Sequence, residues 1–161
     1  MGFIKWIFGK KENISSSAIE HSSKGNYQPN GRIKGGGHGE ECIKHLKENE
    51  IDFNILKTYN NGVRVGNIPS HKEPKKRSGL TQTWFPKSWK RDTIKRAGQV
   101  VGRGNKYPDG KVKSGHYSNV NVGIIRTNGK VSTIFPMSIQ KNKKGIEIHE
   151  QRKTHRTNRK K

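Results

Sequence analysis

Apolar residues are too few in this chain to build a core everywhere, so where they fall decides what can fold. They make up 27% of the 161 residues and concentrate between about Cys42 and Phe135, while both ends are polar and basic. Spread evenly, low hydrophobicity with high net charge is the signature of disorder. Concentrated in one stretch, it predicts a core of about 100 residues with loose termini.

Charge narrows the class of partner. Lys and Arg number 34 against 12 Asp and Glu, a formal net charge of +22 at pH 7. Self-repulsion on that scale is best explained by an anionic partner. Basic residues run through the core stretch and not only the tail, which favours nucleic acid over a membrane surface. The single cysteine, Cys42, rules out a disulfide framework within the chain and a cysteine-based zinc site. Gly2–Phe8 is short and interrupted by Lys5, so no classical signal peptide is expected, and nothing reaches the length of a stable membrane insertion.

Hydrophobic periodicity divides the middle of the chain. Cys42, Ile43 and Leu46 share a helical face beginning at Gly39, with Glu40 and Glu41 in the first turn, where they suit the helix dipole. Ile51, Phe53 and Ile55 alternate, Asn60-Asn61-Gly62 turns the chain, and Val63 and Val65 resume, predicting a hairpin over 51–68. Ser88 is a fitting N-cap for a second helix carrying Ile94, Ala97 and Val101. The clearest hairpin is Asn119–Pro136. Val120, Val122 and Ile124 alternate, Asn128-Gly129 turns, and Val131, Thr133 and Phe135 alternate again. Ile125 and Ile134 load its other face, which suits a sheet covered on both sides.

The rest reads as connection. Glu12–Asn26 is Ser-rich and without period, a linker, and Pro69–Ser78 is a basic loop. The organisation expected is an apolar and basic segment with linker over 1–26, a folded domain over 27–137, and a disordered basic tail over 138–161. Met1–Lys11 reads equally as an interfacial anchor or as a segment packed on the domain.

The chemistry centres on histidine. The seven histidines contain no His-x-x-x-His pair, so neither a metal nor another cofactor is expected. His38 follows Gly35-Gly36-Gly37 and precedes Gly39 and a helix start. Glycines would let a phosphate approach the backbone at Gly37 and Gly39, and the histidine could exchange protons with a group on that phosphate. Alternatively the glycines make a turn and His38 only caps the helix. Metal-free RNA cleavage needs a base for the ribose 2′-OH, an acid for the departing 5′-oxygen and cations for the charged phosphorane. His38 and His71 are candidates for the first two roles, and Arg64 and Lys72 for the third. Thr133 could bond a phosphate or base edge and Phe135 could stack on a base, although both residue types are ordinary in sheets.

Three blocks carry a resemblance: Gly35-Gly36-Gly37-His38-Gly39, Gln82-Thr83-Trp84-Phe85-Pro86-Lys87-Ser88-Trp89, and Gly129-Lys130-Val131-Ser132-Thr133-Ile134-Phe135-Pro136. In this order they resemble the bacterial EndoU nuclease family, over Tyr27 to Pro136. The resemblance implies an α+β fold of the compact EndoU and barnase-like kind, with helices packed on antiparallel sheet. It implies an endoribonuclease that cleaves RNA to a 2′,3′-cyclic phosphate and a 5′-hydroxyl without a metal. It also implies a toxin, cytoplasmic or delivered to a target cell's cytoplasm, with a cognate immunity protein as partner. The family's leading histidine falls on His38 and its Thr-x-Tyr on Thr133-Ile134-Phe135, where phenylalanine keeps the ring and loses the hydroxyl. The second catalytic group falls on His71 or Arg64. The competing class is a non-catalytic nucleic-acid-binding protein; a membrane-active basic protein built around Gly2–Lys11 is a third.

Overall fold

The computed structural model describes residues 12–104 and 107–151. The expected N-terminal segment Met1–Lys11 and the end of the tail, Arg152–Lys161, lie outside the described residues. In chain order the elements are α1 (Ser16–Ser23), β1 (Asn26–Tyr27), β2 (Ile33–Gly35), α2 (Glu40–Glu48), β3 (Asn54–Thr58) and β4 (Arg64–Asn67). A 3-10 turn (Pro74–Lys76), β5 (Gln82–Trp84), α3 (Arg91–Gly102), β6 (Lys113–Tyr117), β7 (Val120–Thr127) and β8 (Lys130–Pro136) follow. The strands form three antiparallel sheets, ordered β1-β2, β3-β4-β5 and β6-β7-β8. The fold is α+β, as the sequence led us to expect.

Glu12–Asn26 is not a linker. Ser15 caps α1 by accepting a hydrogen bond from the Ala18 N–H at 3.1 Å, and Ala18, Ile19, Ser22 and Ser23 are buried. Two serines on the inner face hide the apolar stripe from a hydrophobicity reading. They are inside because they bond there: the Ser22 hydroxyl accepts from the Ile134 N–H of β8 at 2.9 Å, which removes the cost of burying it.

Two apolar clusters meet at β5. The larger joins Ile14, Ala18 and Ile19 to Ile94, Ala97 and Val101 of α3, to the inner face of β7–β8, and to Phe85 and Trp89. The smaller gathers Cys42, Ile43 and Leu46 of α2 with Ile33, Ile68 and Trp84. Trp84 and Phe85 are both fully buried, and as neighbours in the chain they enter different clusters. Full burial of such side chains contributes roughly 1.5–3 kcal/mol each. Ser88 does not cap α3: the cap position is Lys90, without a side-chain bond.

A bulge resets the faces of the best hairpin. Ile125 pairs with Thr133, but Arg126 pairs with Val131, leaving Ser132 as the extra residue. Val131 and Ile134 therefore both reach the core, while Ile125, Thr133 and Phe135 share the opposite face. Strict alternation had grouped Val131 with Thr133 and Phe135, and Ile134 with Ile125.

Residues 138–151, expected to be disordered tail, are fastened to the fold. Asn60 N–H donates to His149 O at 2.8 Å, Ile148 N–H to Gln140 O at 2.7 Å, and Tyr59 bridges Glu150. Gln140 is fully buried and bonds Asn61, Asn121 and Met137. The chain through residue 151 is thus fastened to the β3–β4 turn and to β7.

Candidate active site

The last carbonyls of a helix have no partner inside it. In α1 they are met by the loop after β2: His21 O accepts from Gly37 N–H (2.9 Å), Ser22 O from His38 N–H (2.6 Å) and Ser23 O from Gly39 N–H (2.9 Å). Gly36 makes the approach possible. Its φ is +66°, and a Cβ there would lie 2.0 Å from His21 O. Buried Gln82 fastens the loop from β5, its Nε2 donating to Gly37 O at 2.9 Å and Gly36 O at 3.2 Å. Gly37 and Gly39 are therefore not the phosphate cradle expected of them, although Gly35 and Gly36 line the cleft. The N–H groups of Gly37 and Gly39 are spent on α1, and both lie outside the cleft lining. Their work is to hold His38.

His38 is only 5% exposed. Its Nδ1 lies 2.7 Å from Thr83 O and 3.2 Å from the Thr83 hydroxyl. A carbonyl can only accept, so Nδ1 carries the hydrogen and Nε2 is left with a lone pair. Burial, with the charge of Lys76 second, pushes its pKa down to about 3, against the opposing pull of the Thr83 carbonyl. The imidazole is neutral at pH 7 with a lone pair at Nε2, and the negative charge of a bound phosphate would raise its pKa towards the range a base needs. It does not cap α2, whose cap position is Gly39, without a side-chain bond.

His71 carries the opposite tautomer. Its Nδ1 is 2.9 Å from the Glu73 N–H, which can only donate, so the hydrogen sits on Nε2. Burial and then Lys76 lower its pKa to about 4. The surrounding turn is self-supporting: Arg77 donates from Nε to His71 O at 2.7 Å and from Nη2 to Lys72 O at 3.1 Å.

These groups line one cleft of about 410 Å³. Thr83 and His38 stand on one side, His71 and Lys76 come from the loop, and Ile125, Thr133 and Phe135 come from the bulged hairpin. The Phe135 ring is 5.8 Å from the His38 ring, centroid to centroid, at a 43° tilt. It lies across Gly123, where a Cβ would meet the ring at 2.7 Å. Thr133 and Phe135 are half-buried and open to a ligand. A second hollow of about 530 Å³ lies between α2 and α3, where Glu40, Glu41, Glu48 and Asp92 are matched by Lys24, Lys44, Lys90 and Arg91, and it holds none of the candidate residues read from the sequence.

Of the residues singled out in the sequence, His38, His71, Thr133 and Phe135 meet in the cleft, and Arg64 and Lys72 are outside its lining. Arg64 is 9% exposed, pairs with Glu40 at 2.7 Å and bonds Phe85 O. Its charge is spent tying β4 to the start of α2. Lys72 is exposed, and its backbone N–H bonds Ile33 O at 2.9 Å. Lys34 and Lys76 both line the cleft, and Lys76 is the one whose charge bears on both histidines; it is held partly out of water, which lowers its pKa. Nothing distinguishes Lys76 from Lys72 and Lys75 in the sequence until the 3-10 turn places it. His21 and Thr83 were missed as well. His21 sat in the presumed linker, and Thr83 lay inside a recognised block without a role.

Among the described residues no group of three or more His, Cys, Asp and Glu is arranged to hold a metal ion, and no helix is long and apolar enough to cross a membrane. Among curated proteins and among solved structures, none matches the chain. The family model for bacterial EndoU nucleases matches residues 15–138, which begins at the cap of α1 and spans every element that builds the cleft. The chain belongs to the bacterial EndoU nuclease family.

Proposed function

We propose that this nuclease is an endoribonuclease that drives the ribose 2′-oxygen onto the adjacent phosphate, releasing a 2′,3′-cyclic phosphate and a 5′-hydroxyl. The observation that carries the reading is the pair of opposed tautomers on one cleft: a free acceptor at His38 Nε2 and a donor at His71 Nε2. His38 takes the 2′-OH proton, and the Thr83 carbonyl stabilises the imidazolium that forms. His71 donates a hydrogen bond from Nε2 to the departing 5′-oxygen, and the proton that His38 took from the 2′-OH passes to that oxygen, so the 5′-hydroxyl leaves and His38 returns to its neutral form. The Lys76 ammonium balances the charge gathering on the phosphorane, an interaction strengthened by its partial burial. Thr133 bonds the phosphate or a base edge, and Phe135 stacks on a base.

None of these steps calls on a metal. RNA incubated with the protein in excess EDTA should still be cut, and end-group analysis should find cyclic phosphates and 5′-hydroxyls. Cleavage that disappears with chelator and returns with manganese would overturn the metal-free mechanism. The toxin role, action in a target cell's cytoplasm and the cognate immunity protein that the resemblance implies belong to the same proposal. Expression in a bacterium should arrest growth, and normal growth despite measurable nuclease would remove them.

A further inference from the structure

Beside the cleft lies a side groove of about 550 Å³ between α1 and the β7–β8 hairpin, with His21 and Thr133 lining both hollows. Ser17 forms part of the α1 wall, and Lys130 and Ser132 part of the hairpin wall. The groove's lining contains hydroxyls, an amide and a lysine but no carboxylate, unlike the hollow between α2 and α3.

The same bulge shapes both spaces. Ser132, the extra residue of β8, bonds Ile125 O at 3.1 Å and the Thr127 hydroxyl at 2.9 Å, while its neighbour Thr133 is delivered to the cleft. Bulges beside sites commonly re-aim side chains in this way. At the junction, His21 is fixed through Nδ1 by Asn26, and its Nε2 has no hydrogen-bond partner among the described residues.

We propose that the side groove is a second RNA subsite, holding the ribose and phosphate of a nucleotide next to the cleaved linkage. This rests on the nuclease reading above. A strand seated in the cleft has to leave it, and a carboxylate-free channel that begins at a shared histidine and threonine is chemically matched to a sugar–phosphate backbone. Hydroxyls and amides bond phosphate oxygens and the 2′-OH, and Lys130 supplies the positive charge.

The test compares kcat/KM for a dinucleoside monophosphate with that for a tetranucleotide containing the same cleavable linkage. The wild-type protein should prefer the tetranucleotide. Lys130→Ala should cut that preference roughly tenfold, the size of one charge-assisted contact. Ser17→Asp should do the same by repelling phosphate, although an acid in the first turn of α1 favours the helix. Melting temperatures of both variants exclude unfolding as the cause. Variants that keep the wild-type preference, or a wild-type protein that cuts both substrates equally well, would overturn the subsite while leaving the nuclease reading intact. A wild-type protein that cuts neither would defeat the nuclease reading itself.

Discussion

The two loops that bring histidines to the cleft are built in opposite ways. The loop of His38 is fastened from outside, by three carbonyls of α1 and by Gln82 of β5. The loop of His71 is fastened mainly from within, by Glu73 and Arg77 bonding groups two to six residues away. One histidine is positioned by the fold and the other largely by its own turn. Damage to the first loop should therefore spread into stability, and damage to the second should stay in activity.

The largest contrast should come from one substitution in each loop. Gly36→Ala combines a left-handed φ with a Cβ driven onto His21 O. It should cost about 2–4 kcal/mol, from backbone strain and overpacking together, and lower melting temperature and cleavage at once. Arg77→Ala removes two hydrogen bonds from a largely exposed loop. It should cost about 1 kcal/mol or less while reducing turnover through a loosened His71. Equal losses of melting temperature in the two variants would erase the distinction between the loops.

A smaller effect sharpens the comparison with pH. Both histidines are held below their ordinary pKa, His38 near 3 and His71 near 4. The unfolded chain takes up these protons near pH 6.5 and the folded protein does not. Stability is thus fully present above about pH 6.5 and falls as pH drops towards those values, because the unfolded state binds more protons. Between about pH 6.5 and 5, above most carboxylate titration, each His→Ala variant should show a shallower loss of stability than the parent. A parent protein whose denaturant midpoint is flat over this range would mean that the histidines are not held neutral.

These histidines also mark how far the sequence can be read. His38 was legible because Gly35–Gly37 and the helix pattern after it are local signals. The use of those glycines was not, since their partners are carbonyls of a helix whose inner face is half serine. The β7–β8 hairpin was legible from Asn128-Gly129, but the bulge at Ser132 was not, and it alone decides which of Val131, Thr133 and Ile134 face the cleft. Arg64 and Lys76 differ by burial and by ion pairing, neither of which leaves a local trace. Residues 138–151 look like tail because they are polar, yet Gln140 anchors them through hydrogen bonds rather than apolar contact.

The central claim is that His38 moves a proton in the cleavage step, and His38→Ala tests it most directly. Turnover, RNA affinity and melting temperature should be measured together on the parent and the variant. Turnover should fall roughly 10²–10⁴-fold, the range for a lost acid–base group. Affinity should change little, because the lysines and arginines that hold phosphate remain. The variant should stay folded, since the backbone bonds of residue 38 to Ser22 and Phe85 do not depend on the ring. A folded His38→Ala protein that cuts RNA at close to the parent rate would contradict the account.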